Sequence, residues 1–388
     1  MRPVRILIVL TYFHPYKSGL TIYALRQAQA LAAMGHAVTV LTSQHEPSLS
    51  TQEQLNGVEV IRLPIAFRFS KGAIMPQLPI KAWGLIKNTD IVNIHVPQGD
   101  AAIIAVLAKL LRKPIVLTYQ CDLKMPTGWV NQLAGGVANL SSRVSARMAD
   151  AVVHITRDFA EHSSFLRRYL DKLKIIQPPI SVAPVSEEEI EAFRVKYALQ
   201  PGRRIIGMVA RLAAEKGVEY LVEAMPMILE SLPNTQVVFV GEYENVIGEK
   251  AYKKKILPMI DSLGDHWAFL GPLKEAEKTA FFHLCDVLVL PSVNSTESFG
   301  MVQIEALTCG TPVVASNLPG VRQPVLTTGM GKIVPLKDPE SLASAIRQIL
   351  EAGISVPPDV IDELIDHYSP EKVAEAYEAL FHQLIDTK

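Results

Sequence analysis

The chain has 388 residues, 49% of them hydrophobic, which is long for one domain and apolar enough for two cores. No apolar run approaches the roughly 20 residues that span a bilayer, and no nucleic-acid partner is expected. The net charge of −1 hides an asymmetry, because residues 1–180 carry 20 Lys and Arg against 10 Asp and Glu while the remainder carries 18 against 29.

The basic N-terminal half attracts anionic partners or membrane headgroups. The stretch from Met1 to Leu10 is too short for a secretory leader and reads as a strand, with RILIVL apolar on both faces. In TIYALRQAQALAAMGH, Ile22, Leu25, Gln29 and Ala32 fall at helical spacing, and Gly35 is placed to stop the helix. AVTVLTS, GVEVIRLP, DIVNIH, PIVLTY and DAVVHIT follow as strands, with AAIIAVLAKLLRK and the stretch ending VSARMA as helices. This alternation predicts a parallel, doubly wound sheet.

After Glu59 no acidic residue appears until Asp90. Arg62, Arg68, Lys71, Lys81 and Lys87 interleave there with Phe67, Phe69, Ile74, Met75, Leu78, Ile80 and Trp83. Residues 61–88 thus have the composition of a peripheral contact with an anionic membrane; an ordinary basic loop and helix is the alternative. Cys121, Cys285 and Cys309 have no pairing or metal-ligand spacing and read as reduced thiols of a cytoplasmic protein.

Prolines and charges from Gln177 to Gln200 interrupt the rhythm. The expected organisation is an acceptor-binding domain over 1–180, a linker over 181–200 and a second domain over 201–368. A C-terminal helix over 369–388 packs back toward the first domain. The second domain repeats the alternation from RRIIGMVA through TQVVFVG, WAFLG, DVLVLPS, TPVVAS and GKIVPL. The fold class is therefore α/β, with two Rossmann-like domains facing across a cleft where carboxyl ends of strands bind ligands.

In MVARLAAEKGVEYLVEAM, Arg211 and Lys216 flank a short loop between strand and helix, which with free helix N–H groups makes an anion site. A solvated charged loop satisfies the same residues. In ESFGMVQIEALTCGTPVVAS, Glu297 stands at the mouth of a helix beginning near Phe299 and Gly300, and Glu305 lies inside it on the face of Met301. A partly buried carboxylate needs partners, and vicinal hydroxyls of a ligand can supply two donors. Diphosphate on the cations, ribose on Glu305 and sugar on Glu297 together describe one nucleotide-sugar.

The series ARLAAEKG, VVFVGE, FLGPL, LPSVNSTESFGMVQIEALTCGTPVVAS and GKIVP resembles the retaining nucleotide-sugar glycosyltransferases of family 4, which have the GT-B fold. The resemblance implies that Arg211 and Lys216 hold the donor diphosphate and Glu305 the ribose hydroxyls. It also implies that Glu297, with the backbone at Phe299 and Gly300 and with Met301, holds the transferred sugar, and that the loop from Phe269 to Gly271 lies beside the base. HPYKSGLTIYALRQ is similar to the family's Gly-Gly loop, with Ser18 in place of the first glycine and Gly19 retained. DIVNIH ends near His95, for which a satisfied strand-end histidine is the alternative. In TYQCDL, Gln120 stands where the family usually shows histidine, and Asp122 matches an acidic residue that orients the acceptor. Glutamine donates a hydrogen bond but shuttles no proton, which leaves a front-face mechanism in which the departing phosphate takes the acceptor's proton.

No Asp-x-Asp pair occurs, so metal independence is expected, with the cations at 211 and 216 in the metal's place and no cofactor beyond the co-substrate. The implied function is transfer from a UDP-sugar, or GDP-mannose next, to a lipid-linked or glycan acceptor. A sugar phosphorylase or nucleotide-sugar epimerase of similar architecture, and a nucleotide-sugar-binding protein without turnover, are the other readings.

Overall fold

The computed structural model describes residues 2–69, 72–124, 129–244, 246 and 248–387. The chain divides into two units, Met1–Pro179 with Tyr368–Lys388, and Ile180–His367.

The first unit runs β1 (Arg5–Val9), α1 (Gly19–Ala33), β2 (Ala37–Gln44), β3 (Gln52–Leu55), β4 (Val58–Pro64), β5 (Phe67–Phe69), β6 (Gly72–Ile74), α2 (Leu78–Lys87), β7 (Ile91–Val96), α3 (Ala101–Leu110), β8 (Ile115–Tyr119), α4 (Trp129–Met148), β9 (Ala151–His154), α5 (Arg157–His162) and β10 (Leu173–Ile175). Its main sheet has the order β10-β9-β8-β7-β1-β2-β4-β3, parallel except for edge strand β3. Winding reverses between β1 and β7. Continuous apolar strands bury Ile6 to Val9, Ile91 to Ile94 and Ile115 to Leu117, as a sheet covered on both faces requires.

The residues from 61 to 88 fold differently from a continuous interfacial segment. Leu63, Met75, Leu78 and Ile86 belong to the core, and Arg62 is buried, donating to Glu53 at 2.6 Å, the His14 carbonyl at 2.8 Å and the Ser50 carbonyl at 3.1 Å. A guanidinium with three acceptors can be buried, and this one pins β3 to β4. Phe67, Ile74, Ile80 and Trp83 are exposed; Lys71 and the side chain of Phe69 lie outside the described residues.

The second unit contains α6 (Glu187–Lys196), β11 (Arg204–Val209), α7 (Val218–Leu229), β12 (Thr235–Val240), α8 (Lys250–Asp261), β13 (Trp267–Gly271), α9 (Glu275–Leu284), β14 (Val287–Leu290), α10 (Met301–Leu307), β15 (Val313–Ser316), α11 (Gln323–Thr328), β16 (Gly331–Val334), α12 (Pro339–Ala352) and α13 (Pro358–Tyr368). The order β13-β12-β11-β14-β15-β16 is wholly parallel and reverses between β11 and β14. Residues 187–196, assigned to a linker by their charges, form a helix instead. Ser186 and Glu189 make a capping box, and three glutamates in the first turn complement the helix dipole.

The last helix, α14 (Pro370–Asp386), packs on α1 in the first unit. Tyr377 and Tyr23 share a buried hydrogen bond of 2.8 Å, and the Tyr377 hydroxyl also meets Thr118 Oγ1 at 3.1 Å. Among the described residues no helix is long and apolar enough to cross a membrane.

Candidate functional site

In open α/β sheets, ligands bind beyond the carboxyl ends of strands where the winding reverses. In the second unit that point lies between β11 and β14, and the loops leaving these two strands carry Arg211, Lys216 and Glu297. They are stitched together by a hydrogen bond of 3.0 Å from Val293 N–H to the Glu215 carbonyl. Gly217 adopts φ +67°, and a Cβ there would lie 2.1 Å from the Pro291 carbonyl oxygen, so only glycine permits this approach. The result is an ion pair of 2.5 Å between Lys216 Nζ and Glu297 Oε2, with both side chains four-fifths buried or more. Arg211, nearly half exposed, pairs with Glu215 at 3.1 Å.

Gly217→Ala is expected to displace this loop, costing about 1–3 kcal/mol of stability and separating Lys216 from Glu297. Chemical denaturation combined with nucleotide titration checks this; unchanged values of both would remove the steric argument.

Helix α10 starts from Gly300, whose φ of +80° favours glycine; a Cβ there would lie 2.3 Å from Leu290 Cδ2, a side-chain end that can shift. The Phe299 ring is buried, leaving its backbone for any ligand contact, while Met301 is half-buried at the first turn. Gln303 anchors the turn by donating to the carbonyls of Phe299 at 2.7 Å and Val321 at 2.9 Å. Glu305 is 4% exposed, and Lys278 from α9 reaches each of its carboxylate oxygens at 3.1 Å. Lys278 was not legible as a site residue, because only the packing of α9 on α10 brings it to Glu305.

Across the sheet, Phe269 stacks on Tyr243 with ring centres 4.4 Å apart, and the Gly271 carbonyl accepts from Gly241 N–H at 2.9 Å. Tyr243 also escaped the sequence reading; the signal was an aromatic residue directly beyond the strand VVFVG. Arg211, Lys216, Glu297 and Gly300 thus lie on the loops leaving β11 and β14, with Glu305 about one turn into α10 and Phe269 and Gly271 in β13 of the same sheet.

In the first unit, Gly19 opens α1 behind the cap residue Ser18. Ser18 Oγ accepts from Thr21 N–H at 3.2 Å, so that hydroxyl is engaged in capping. A cavity of about 80 Å³ lies at this unit's winding reversal, lined among others by Thr11, Tyr16, Ser18, His95 and Gln98. His95 is fully enclosed, and the Gln120 amide donates to its Nδ1 at 3.2 Å. Burial holds His95 down at about 3 and His154 down at about 4. Asp122 accepts from the Tyr119 hydroxyl at 2.8 Å and from Ser163 at 2.6 Å through the same oxygen.

A histidine whose folded value lies below its unfolded 6.5 is protonated more readily after unfolding, so stability is full above pH 6.5 and falls as pH drops toward the folded values. Each of the two histidines is expected to cost on the order of 2 kcal/mol by pH 5. Urea midpoints at pH 7 and pH 5 measure the fall. An equal fall in His95→Gln would exclude His95 as its source.

The family profile described as Glycosyl transferase 4-like domain matches residues 18–178, and that described as Glycosyl transferases group 1 matches residues 189–358. The chain belongs to the GT-B glycosyltransferases of the family 4 type. An uncharacterised glycosyltransferase of Methanocaldococcus jannaschii is 28% identical to this transferase over 86% of the chain and 85% of its own length. A phosphatidyl-myo-inositol mannosyltransferase of Mycolicibacterium smegmatis is 24% identical over 90% and 85%. Among solved structures, Anabaena HepE in complex with UDP-glucose matches the fold with a TM-score of 0.78 at 16% identity, covering 98% of this chain and all of its own.

Proposed function

We propose that this glycosyltransferase is a retaining hexosyltransferase that moves a sugar from a nucleotide diphosphate to a lipid-linked or glycan acceptor without a metal ion. The observation that carries the reading is the Lys216–Glu297 ion pair at the β11/β14 reversal, with buried Glu305 in the helix that follows the Glu297 loop. A cation fixed by a carboxylate at this point meets the charge that grows on a leaving diphosphate. Arg211 supplies a second positive group. Glu305 receives the two ribose hydroxyls, the Phe269–Gly271 turn lies along the base, and Glu297 with Met301 and the Phe299 and Gly300 backbone orders the sugar hydroxyls.

The resemblance to family 4 assigns Gly19 and Gln120 of the first unit to the donor's phosphate and sugar, and Asp122 to the acceptor. His95, held neutral by burial, positions the Gln120 amide and moves no proton. The acceptor oxygen attacks the anomeric carbon on the face the phosphate leaves, and the phosphate oxygen takes the acceptor's proton. Solved HepE with UDP-glucose favours a UDP-sugar, with GDP-mannose next; the phosphatidyl-myo-inositol mannosyltransferase favours a lipid acceptor. The transferase then works in the cytoplasm, peripherally at the inner face of a membrane, with exposed residues between 61 and 88 contributing to the contact.

Calorimetric titration with UDP, GDP, ADP and dTDP in metal-free buffer tests the donor assignment. One nucleotide is expected to bind at micromolar concentration and to lose affinity in Arg211→Ala. Binding of none of the four would sink the reading. Addition of a chelator is expected to leave turnover unchanged, and loss of turnover would overturn metal independence.

A further inference from the structure

Helix α4 is built inside out. Gly135, Ser141, Ser142, Ser145 and Ala146 are buried, whereas Trp129 is 77% exposed, Leu133 54%, Val137 52% and Leu140 64%. These four fall at i, i+4, i+8 and i+11 and make one stripe. Small and hydroxyl-bearing residues inward with large apolar residues outward reverse the usual order of a helix on a water-facing surface. Two of the three inward serines have structural partners: Ser141 Oγ accepts from Ala102 N–H at 2.9 Å, and Ser145 Oγ donates to the Ser141 carbonyl at 2.8 Å, while the buried Ser142 Oγ has none among the described residues.

The neighbouring helices continue the pattern. Helix α3 packs against both α2 and α4 and exposes Ile103, Val106 and Leu110, while α2 exposes Ile80 and Trp83. None of the three helices contains an Asp or Glu, yet they carry Lys81, Lys87, Lys109, Arg143 and Arg147, all exposed. Lys109 pairs with Asp150, which follows α4. An apolar patch of this extent on a water-facing surface marks an interaction site. A second copy of the chain would bring two sets of cations face to face. A surface with anionic headgroups above an apolar interior complements both the stripe and its charged border.

We propose that α4, with the exposed edges of α3 and α2, docks on an anionic lipid bilayer, its aromatic and aliphatic stripe entering the headgroup region. This deepens the peripheral-membrane part of the proposed function and rests on it, moving the centre of the contact from residues 61–88 to α4. Asp122, assigned to orient the acceptor, shortly precedes α4 in the chain, so a lipid-linked acceptor would arrive at the unit that selects it.

Co-sedimentation of the full chain with vesicles of phosphatidylcholine alone, and of phosphatidylcholine with phosphatidylglycerol, tests the assignment. The protein is expected to pellet with the anionic vesicles only. Leu133→Gln/Leu140→Gln and Arg143→Gln/Arg147→Gln are each expected to weaken that binding by about tenfold or more, with melting and UDP titration unchanged. The proposal falls if the wild type stays in the supernatant with anionic vesicles, or if the double leucine variant pellets as the wild type does. It also falls if sedimentation velocity shows a dimer that this variant loses. Failure to pellet with nucleotide binding intact removes the docking surface alone; pelleting without nucleotide binding keeps the surface and removes the donor assignment.

Discussion

Lys216→Ala is expected to lower kcat for sugar transfer by about 100- to 1000-fold, the range associated with removal of one preorganised group that stabilises developing charge. The wild-type ammonium is held 2.5 Å from Glu297 Oε2 by a loop whose path depends on Gly217, so it needs no rearrangement as the phosphate departs. Water entering in its place is mobile and weaker. The variant also leaves Glu297 partly buried without this cation, and that carboxylate would repel the donor phosphate. Both effects act on kcat more than on KM when they are confined to the transition state. Initial rates at saturating donor measure the loss; a rate within about threefold of wild type would remove Lys216 from the proposed chemistry.

The second large effect concerns Glu305. Glu305→Leu is expected to cost about 1–3 kcal/mol of stability, because Lys278 loses its buried carboxylate partner and keeps only the exposed Glu275 at 3.2 Å. Nucleotide affinity falls at the same time through loss of the ribose acceptor. Lys278→Met/Glu305→Leu separates the two consequences: replacing both charges is expected to restore most of the stability while leaving nucleotide binding impaired. Urea denaturation and UDP titration of the three proteins provide the comparison. Recovery of binding along with stability would show that Glu305 serves only as Lys278's partner.

The strands were readable because burial on both faces demands continuous apolar runs such as RILIVL and TPVVAS. Edge strand β3, QEQL, has no such run; it forms because Arg62 finds Glu53 across the strand pair. Helices α11, α12 and α13 went unread, although Leu342, Ala345, Ile346 and Ile349 have helical spacing in α12 and are buried. The enclosure of Glu305 was legible from its apolar neighbours Ile304 and Ala306. The identity of its cation was not, since Lys278 lies 27 residues earlier and reaches it only through helix packing. The helix ending VSARMA was legible, but the same limit hid its orientation: an apolar stripe says nothing about which way it faces until the serines opposite it are seen buried. Composition correctly marked a basic region, but it could not distinguish Arg62 in the core from cations at the surface.

The hydroxyl of Tyr377 joins Thr118 across 259 residues of chain, while the second unit is one uninterrupted segment from Ile180 to His367. During synthesis the second unit can therefore complete its core before the first one can. The earlier-made segment must wait with Tyr23 and Thr118 lacking their partner until the ribosome has delivered α14. For that interval the face of α1 that α14 covers stays open, and the order of assembly runs opposite to the order of translation.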